Sequence, residues 1–419
     1  MTKMMTICLA GLLGSAAFAA GPTPEALLPS HEARDAYTPA AASDGKVFLV
    51  AWQSGRLAEG DLRNGLVGVG DIVACRVDKS GKVLDAKPIV VSGAADLQER
   101  PMMAFGGAPG GGGGNFLIVW QDLRNEKDYD VYAARVTGDG KVLDADGILV
   151  SGGAHNQANP RVCWDGQNFF VVWQDFRSDR AYECYAARVS AAGKVLDPQG
   201  VLLVSDKKFQ RHMPSAASAG KGKNFILWAG NSSSAKHIAG SLFFEGGKVT
   251  AGPGIGADGR NHGPGRRAFP ISIAAGPASY LATWTTQTKI SRGAYQGKSS
   301  AAIFGADGAR KKNLFLAGKA HWVLAPEVAW DGSAFVAAWA EWIGDGRSKV
   351  PPHDQVFASR VSADGNPSAL VHLSGDFASP AKEPAVATDG AGLALVAYEK
   401  HPSKGDVPVK IGFRMLRAK

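Results

Sequence analysis

Apolar residues in this chain fall into short runs, either alternating with polar residues or continuous, and turn residues separate the runs. No stretch after the first twenty residues sustains the three-to-four-residue spacing of an amphipathic helix. The third of the repeating units shows the pattern best. Pro160-Arg161-Val162-Cys163-Trp164 reads as a short strand, Asp165-Gly166 as a tight turn, and Asn168-Phe169-Phe170-Val171-Val172-Trp173 as a second strand. Glu183-Cys184-Tyr185-Ala186-Ala187-Arg188-Val189 makes a third. Beyond a turn at Gly193, Lys194-Val195-Leu196-Asp197 and Val201-Leu202-Leu203-Val204-Ser205 complete the unit.

Two markers carry this unit through the chain. A tryptophan ending an apolar run recurs at Trp52, Trp120, Trp173, Trp228, Trp284 and Trp339, with Tyr398 in seventh place, at spacings of 68, 53, 55, 56, 55 and 59 residues. A proline stands 13 to 19 residues ahead of each, at Pro39, Pro101, Pro160, Pro214, Pro270, Pro326 and Pro384. A four-stranded sheet cannot cover its own two faces, so units of this size bury them by packing on their neighbours. The pattern therefore predicts an all-β fold, a seven-bladed β-propeller with four antiparallel strands per blade. The blades are expected at about 37–92, 99–151, 158–205, 212–256, 268–317, 324–374 and 382–417 plus 24–30. The last unit stops after a third strand, and Glu25-Ala26-Leu27-Leu28-Pro29-Ser30 resembles a fourth, so the N-terminal strand is expected to pair in the last blade and close the ring.

The repeat resembles those of exported bacterial propellers, whose units read roughly Pro-x-x-Ala-x-Asp-Gly, Val-Val-Trp-x-Asp, Ala-Arg-Val and Gly-x-Val-Leu-Asp. Trp120-Gln121-Asp122-Leu123-Arg124, Trp173-Gln174-Asp175-Phe176-Arg177 and the Ala-Arg-Val segments at Arg135 and Arg188 carry the resemblance. It implies architecture. Blades four and five lack the Asp-x-Arg feature, which argues that Asp122 and Asp175 are structural.

Residues 1–19 read as a secretory signal peptide: Lys3, the apolar run from Ile7 to Gly14, and a small-x-small cleavage pattern at Ala17-Phe18-Ala19. The propeller then occupies 20–419, and the protein is expected to be exported, periplasmic or extracellular, with no membrane span. Formal charge is +8 for the whole chain, a modest excess that points to acidic ligands only where it clusters and gives no reason to expect nucleic acid. Beyond the signal, Cys75, Cys163 and Cys184 read as small buried strand residues. A Cys163–Cys184 bridge is disfavoured, because the two fall on first and third strands.

One end of a propeller carries the fourth-to-first and second-to-third connections, and here these are the long, polar ones. Eight histidines are assigned to that end: His31, His155, His212, His237, His262, His321, His353 and His401. Lys207, Lys208, Arg211 and His212 enter blade four; Arg260, His262, Arg266 and Arg267 enter blade five; Lys289, Arg292 and Tyr295 are expected in a blade-five loop. Together they form either an electrostatic sink for carboxylate or sulfate or a solvated basic rim. Trp322 and Trp342, expected in blade-six loops, serve either to stack on a sugar or to lid the central channel.

Three functions fit. The first is binding of an acidic carbohydrate on the loop-rich face. The second is a polysaccharide lyase acting on uronic-acid glycans, with His212, His262 or Tyr295 as base or acid and Arg266 or Arg267 as neutraliser; it is an analogy at fold level, since some such lyases are seven-bladed propellers. The third is a scaffold for an envelope protein. A hydrolase would need two converging carboxylates, and the basic loops offer none. The Ser-x-Asp-x-Gly-x-x-Trp turn of sialidase propellers is absent, no ligand spacing suggests a metal, and no cofactor is specified.

Overall fold

The computed structural model describes residues 17–19, 21–32, 34–55, 69–108, 110, 113–205, 212–231, 236–253, 271–291, 294–316, 322–343, 353–375, 379–403 and 407–419. They form seven four-stranded antiparallel sheets. The first strands of the blades are Ala36–Ser43, Gln98–Gly106, Gln157–Trp164, His212–Ser218, Ser272–Ala275, Trp322–Trp330 and Ala381–Thr388. Each lies against the first strand of the next blade, and that of blade seven lies against that of blade one, so the sheets form a closed ring with first strands innermost. The two-residue strand Ala26–Leu27 pairs with the last strand, Lys410–Arg417, and supplies the fourth strand of blade seven. Tyr398 locks this closure, its hydroxyl donating to Glu25 Oε1 at 2.6 Å, with the Leu373 carbonyl as the alternative acceptor at 2.9 Å.

The core is divided between the blades. Each hydrophobic cluster draws on two neighbouring sheets: one joins Phe48, Val50 and Trp52 to Leu395 and Phe413, and another joins Leu117 and Val119 to Phe169 and Trp173. Trp52, Trp120, Trp173, Trp339 and Tyr398 are fully buried. An indole of this kind removes roughly 4–6 kcal/mol worth of apolar surface from water, which explains its recurrence once per blade. The approach of the sheets is close enough to require glycine at Gly106, where a Cβ would sit 2.3 Å from the Phe169 ring.

The three cysteines are free, Cys75 and Cys184 buried and Cys163 partly so. Burial pushes the Cys75 thiol up to about 12, and the other two are raised as well, which removes them as nucleophiles.

Two expectations about blades five and six need correcting. Their second and third strands continue into what reads as loop. In blade five they run over Ser279–Ser291 and Ala294–Gly305, so Lys289 and Tyr295 face each other as register partners on a long hairpin. In blade six Trp322 opens the first strand, Trp342 lies in the second, and the two are register partners. Aromatic and β-branched residues near these ends extend the ladder. His212, His237 and His353 likewise belong to strands rather than loops.

Candidate functional site

The consensus charges are consumed by the scaffold. In blade two Trp120 Nε1 donates to Asp122 Oδ2 at 2.7 Å, while Arg124 grips both carboxylate oxygens at 2.9 and 2.6 Å and lays its guanidinium over the Tyr132 ring. Blade three repeats this with Trp173, Asp175, Arg177 and Tyr185. In blades one to three the arginine before the last valine of the third strand binds an aspartate beyond the next turn, as Arg76 with Asp85, Arg135 with Asp144 and Arg188 with Asp197. The guanidinium keeps Asp197 below the usual carboxylate range. A carboxylate with every lone pair occupied has no capacity left for a ligand.

The central channel is different. Immediately before the repeated proline, the chain of blades one, two, three and seven passes through the left-handed region at Thr38 (φ 47°), Arg100 (φ 56°), Asn159 (φ 53°) and Glu383 (φ 50°). None of these is glycine. The ladder slips at the same place in each of these blades, so every first strand bulges there. Backbone strain of this kind, repeated around a ring, is characteristic of sites where side chains must be aimed. The four residues line one cavity at the channel mouth, with Met102, Arg161, Met213, Glu327 and the prolines. These positions lie near the start of the first strands, the end of the molecule that carries the fourth-to-first connections.

Neighbouring blades hold the bulges in place. Thr38 N donates to Glu399 Oε1 of blade seven, and Asn159 N to Gln121 Oε1 of blade two, both at 2.9 Å. In each case the acceptor follows the conserved-place aromatic of the preceding blade. Across the channel, Arg161 Nη1 of blade three meets Glu327 Oε1 of blade six at 2.7 Å, and Ser272 Oγ of blade five donates to Glu327 Oε2 at 2.6 Å. Glu327 is thus held at a fixed orientation by two donors.

Glu383 has no such support. It makes no hydrogen bond or ion pair among the described residues, and burial, reinforced by the nearby Glu399 and Glu327 charges and opposed by Arg100 and Lys382, pushes its carboxyl up to about 7. Glu399 itself is engaged by His401 Nε2 at 2.8 Å. Thr38 Oγ1, also in the cavity, is buried without a partner. On the same end, Trp342 is 39% exposed and stands in register with Asp354, a half-buried carboxyl raised by desolvation and eased by Lys382, His353 and His401.

Of the residues expected from sequence, Lys207, Lys208, Arg211, Arg260, His262, Arg266, Arg267 and Arg292 lie outside the described residues. His212, Lys289, Tyr295 and Trp322 have described backbone positions only: His212 opens the first strand of blade four, Lys289 opposes Tyr295, and Trp322 opposes Trp342. Sequence reasoning missed Arg100, Asn159, Arg161, Glu327 and Glu383. The signal that finds them is their place beside the repeated proline, where strong polar residues replace the small or apolar ones of a plain inner strand. Among the described residues no group of three or more His, Cys, Asp or Glu is arranged to hold a metal ion, and no helix is long and apolar enough to cross a membrane.

No protein-family model matches the sequence, and no curated protein is significantly similar to it. Among solved structures, a protein of unknown function from Dyadobacter fermentans is similar over 95% of this chain and 99% of its own, at 10% identity and a TM-score of 0.52. The β-propeller domain of the trilobed protease from Pyrococcus furiosus is similar over 91% of this chain and 93% of its own, at 10% identity and a TM-score of 0.50; that domain is described as having an open velcro topology, whereas here the N-terminal strand closes the ring. At such identities the likeness extends to the fold alone.

Proposed function

We propose that this propeller binds a carbohydrate, acidic in character, at the mouth of its central channel on the loop-rich end. One observation carries the reading: strained residues from four blades deliver Thr38, Arg100, Asn159 and Glu383 to a single cavity, and three of them leave polar groups there that the protein does not satisfy. Arg100 donates no hydrogen bond to the described protein, so its guanidinium is available for a carboxylate or sulfate. Asn159 and Glu383 offer donors and acceptors to hydroxyl groups, and the half-exposed Trp342 offers a stacking face on the same end. The basic residues of 207–211 and 260–267, which lie outside the described residues, would favour an acidic glycan by their charge; export to the periplasm or beyond would bring the protein to such ligands.

The test is retention of the purified protein on immobilised polygalacturonate, alginate and hyaluronan, with neutral xylan as control. Wild-type protein is expected to be retained by an acidic polymer, and Arg100→Ala to weaken binding about tenfold, a loss of about 1.4 kcal/mol. Lack of retention on every polymer, or retention that Arg100→Ala leaves unchanged, contradicts the reading.

A further inference from the structure

The channel mouth brings together two carboxylates in opposite circumstances. Glu327 is pinned by Arg161 and Ser272, one donor on each of its oxygens. Glu383, on the next blade and lining the same cavity, has no donor among the described residues and sits at a strained backbone position. Unequal environments for two neighbouring carboxyl groups divide the labour of acid and base between them.

We propose that this cavity hydrolyses a glycosidic bond, with Glu383 as the proton donor to the leaving oxygen and Glu327 as the carboxylate that opposes it. The inference rests on the preceding reading that a glycan occupies the cavity. As the bond between the anomeric carbon and the bridging oxygen breaks, the Glu383 proton passes to that oxygen. Glu327 stabilises the positive charge that develops at the anomeric carbon. Water then bonds to that carbon and gives up a proton, and Glu383 regains one from solvent, so the sum is addition of one water across one bond. No oxidant, reductant or metal enters the balance. Arg161 and Ser272 are positioning residues: they hold the Glu327 carboxyl in place without touching the reacting atoms.

A carboxyl pushed up to about 7 remains protonated, and able to donate, over most of the range below neutrality. Activity is therefore expected to fall as pH rises through that value. A purely structural cluster explains Glu327, which braces blade three against blade six. It does not explain Glu383, which makes no hydrogen bond or ion pair among the described residues and adds a desolvation cost.

The experiment incubates wild-type protein, Glu383→Gln and Glu327→Gln with the four polysaccharides named above. It follows reducing ends, ultraviolet-absorbing unsaturated product, and binding by calorimetry. Wild-type protein is expected to release reducing ends without unsaturated product. Glu383→Gln should turn over at least about a hundredfold more slowly while binding the same polymer. It should recover on an aryl glycoside, whose leaving group needs no proton, an effect a structural role would not produce. Because Glu383 makes no hydrogen bond or ion pair among the described residues, this variant tests the idea even if Glu327→Gln fails to fold. Binding by wild-type protein without any release overturns hydrolysis and leaves the binding reading standing. Unsaturated product overturns it in favour of elimination, and absence of both binding and release overturns both.

Discussion

The Trp173–Asp175–Arg177 corner and the channel mouth are built from the same chemistry, carboxylate against guanidinium, and come out opposite. At the corner, Asp175 is fully buried and takes bonds from an indole and from two guanidinium nitrogens, so the charge is expended on holding strand ends together. At the channel, Arg100 and Glu383 line one cavity without a hydrogen bond or ion pair to the described residues, and the backbone that carries them is strained. The presence of charge therefore says little about function in a propeller; whether the fold has satisfied the charge says a good deal.

The largest expected effect comes from breaking the satisfied side. Asp175→Ala leaves the Trp173 indole and the Arg177 guanidinium without their partner in a buried setting. It should cost about 3–5 kcal/mol, read as a lowered midpoint in chemical denaturation. If the change costs less than about 1 kcal/mol, the corner is not the structural element described here.

A smaller effect of opposite sign is expected at the channel. Glu383 is raised from 4.5 to about 7, so the native state holds its proton more tightly than the unfolded chain does. Its contribution is favourable at low pH and is lost as pH climbs from about 4.5 to about 7, leaving a cost at neutral pH and above. Glu383→Gln should therefore stabilise the protein by roughly 1–3 kcal/mol at pH 8 and flatten this part of the stability profile. Asp130, pushed up to about 6 chiefly by burial, would retain a similar slope of its own, so the flattening is partial. Denaturation midpoints of both proteins from pH 4 to pH 8 decide it: an unchanged slope contradicts the assignment. The smallest effect on stability is expected for Arg100→Ala, within about 0.5 kcal/mol of wild type, because the side chain supports nothing in the fold. A large loss would move Arg100 to the scaffold side of the comparison.

The ring was legible because each blade repeats the same burial problem. Trp52, Trp120, Trp173 and Trp339 solve it in the same way, and Tyr398 with Glu25 marks the shared last blade. The channel site was much less so. Arg100, Asn159, Glu327 and Glu383 are scattered over four repeats, and only closure of the ring brings them to one cavity. Each is unremarkable alone; together they differ from Ala40 or Ala385, small residues on the same inner strands that simply pack. The basic loops offer no pair of carboxylates in sequence, and Glu327 and Glu383 stand instead on inner strands. Trp322 and Trp342 were correctly sensed as departures from the repeat but placed in loops, because nothing local signals that a hairpin ladder continues past its usual length. The basic segments at 207–211 and 260–267 retain their sequence-based reading.

The most direct test of the channel-mouth site is a crystal structure of Glu383→Gln with the retained polysaccharide's oligosaccharide bound. The account predicts sugar density in the cavity, an acidic group within hydrogen-bonding distance of Arg100, and a hydroxyl or glycosidic oxygen against residue 383. Density confined to the outer faces of the blades or to the opposite end of the ring, with the cavity holding solvent alone, would contradict it.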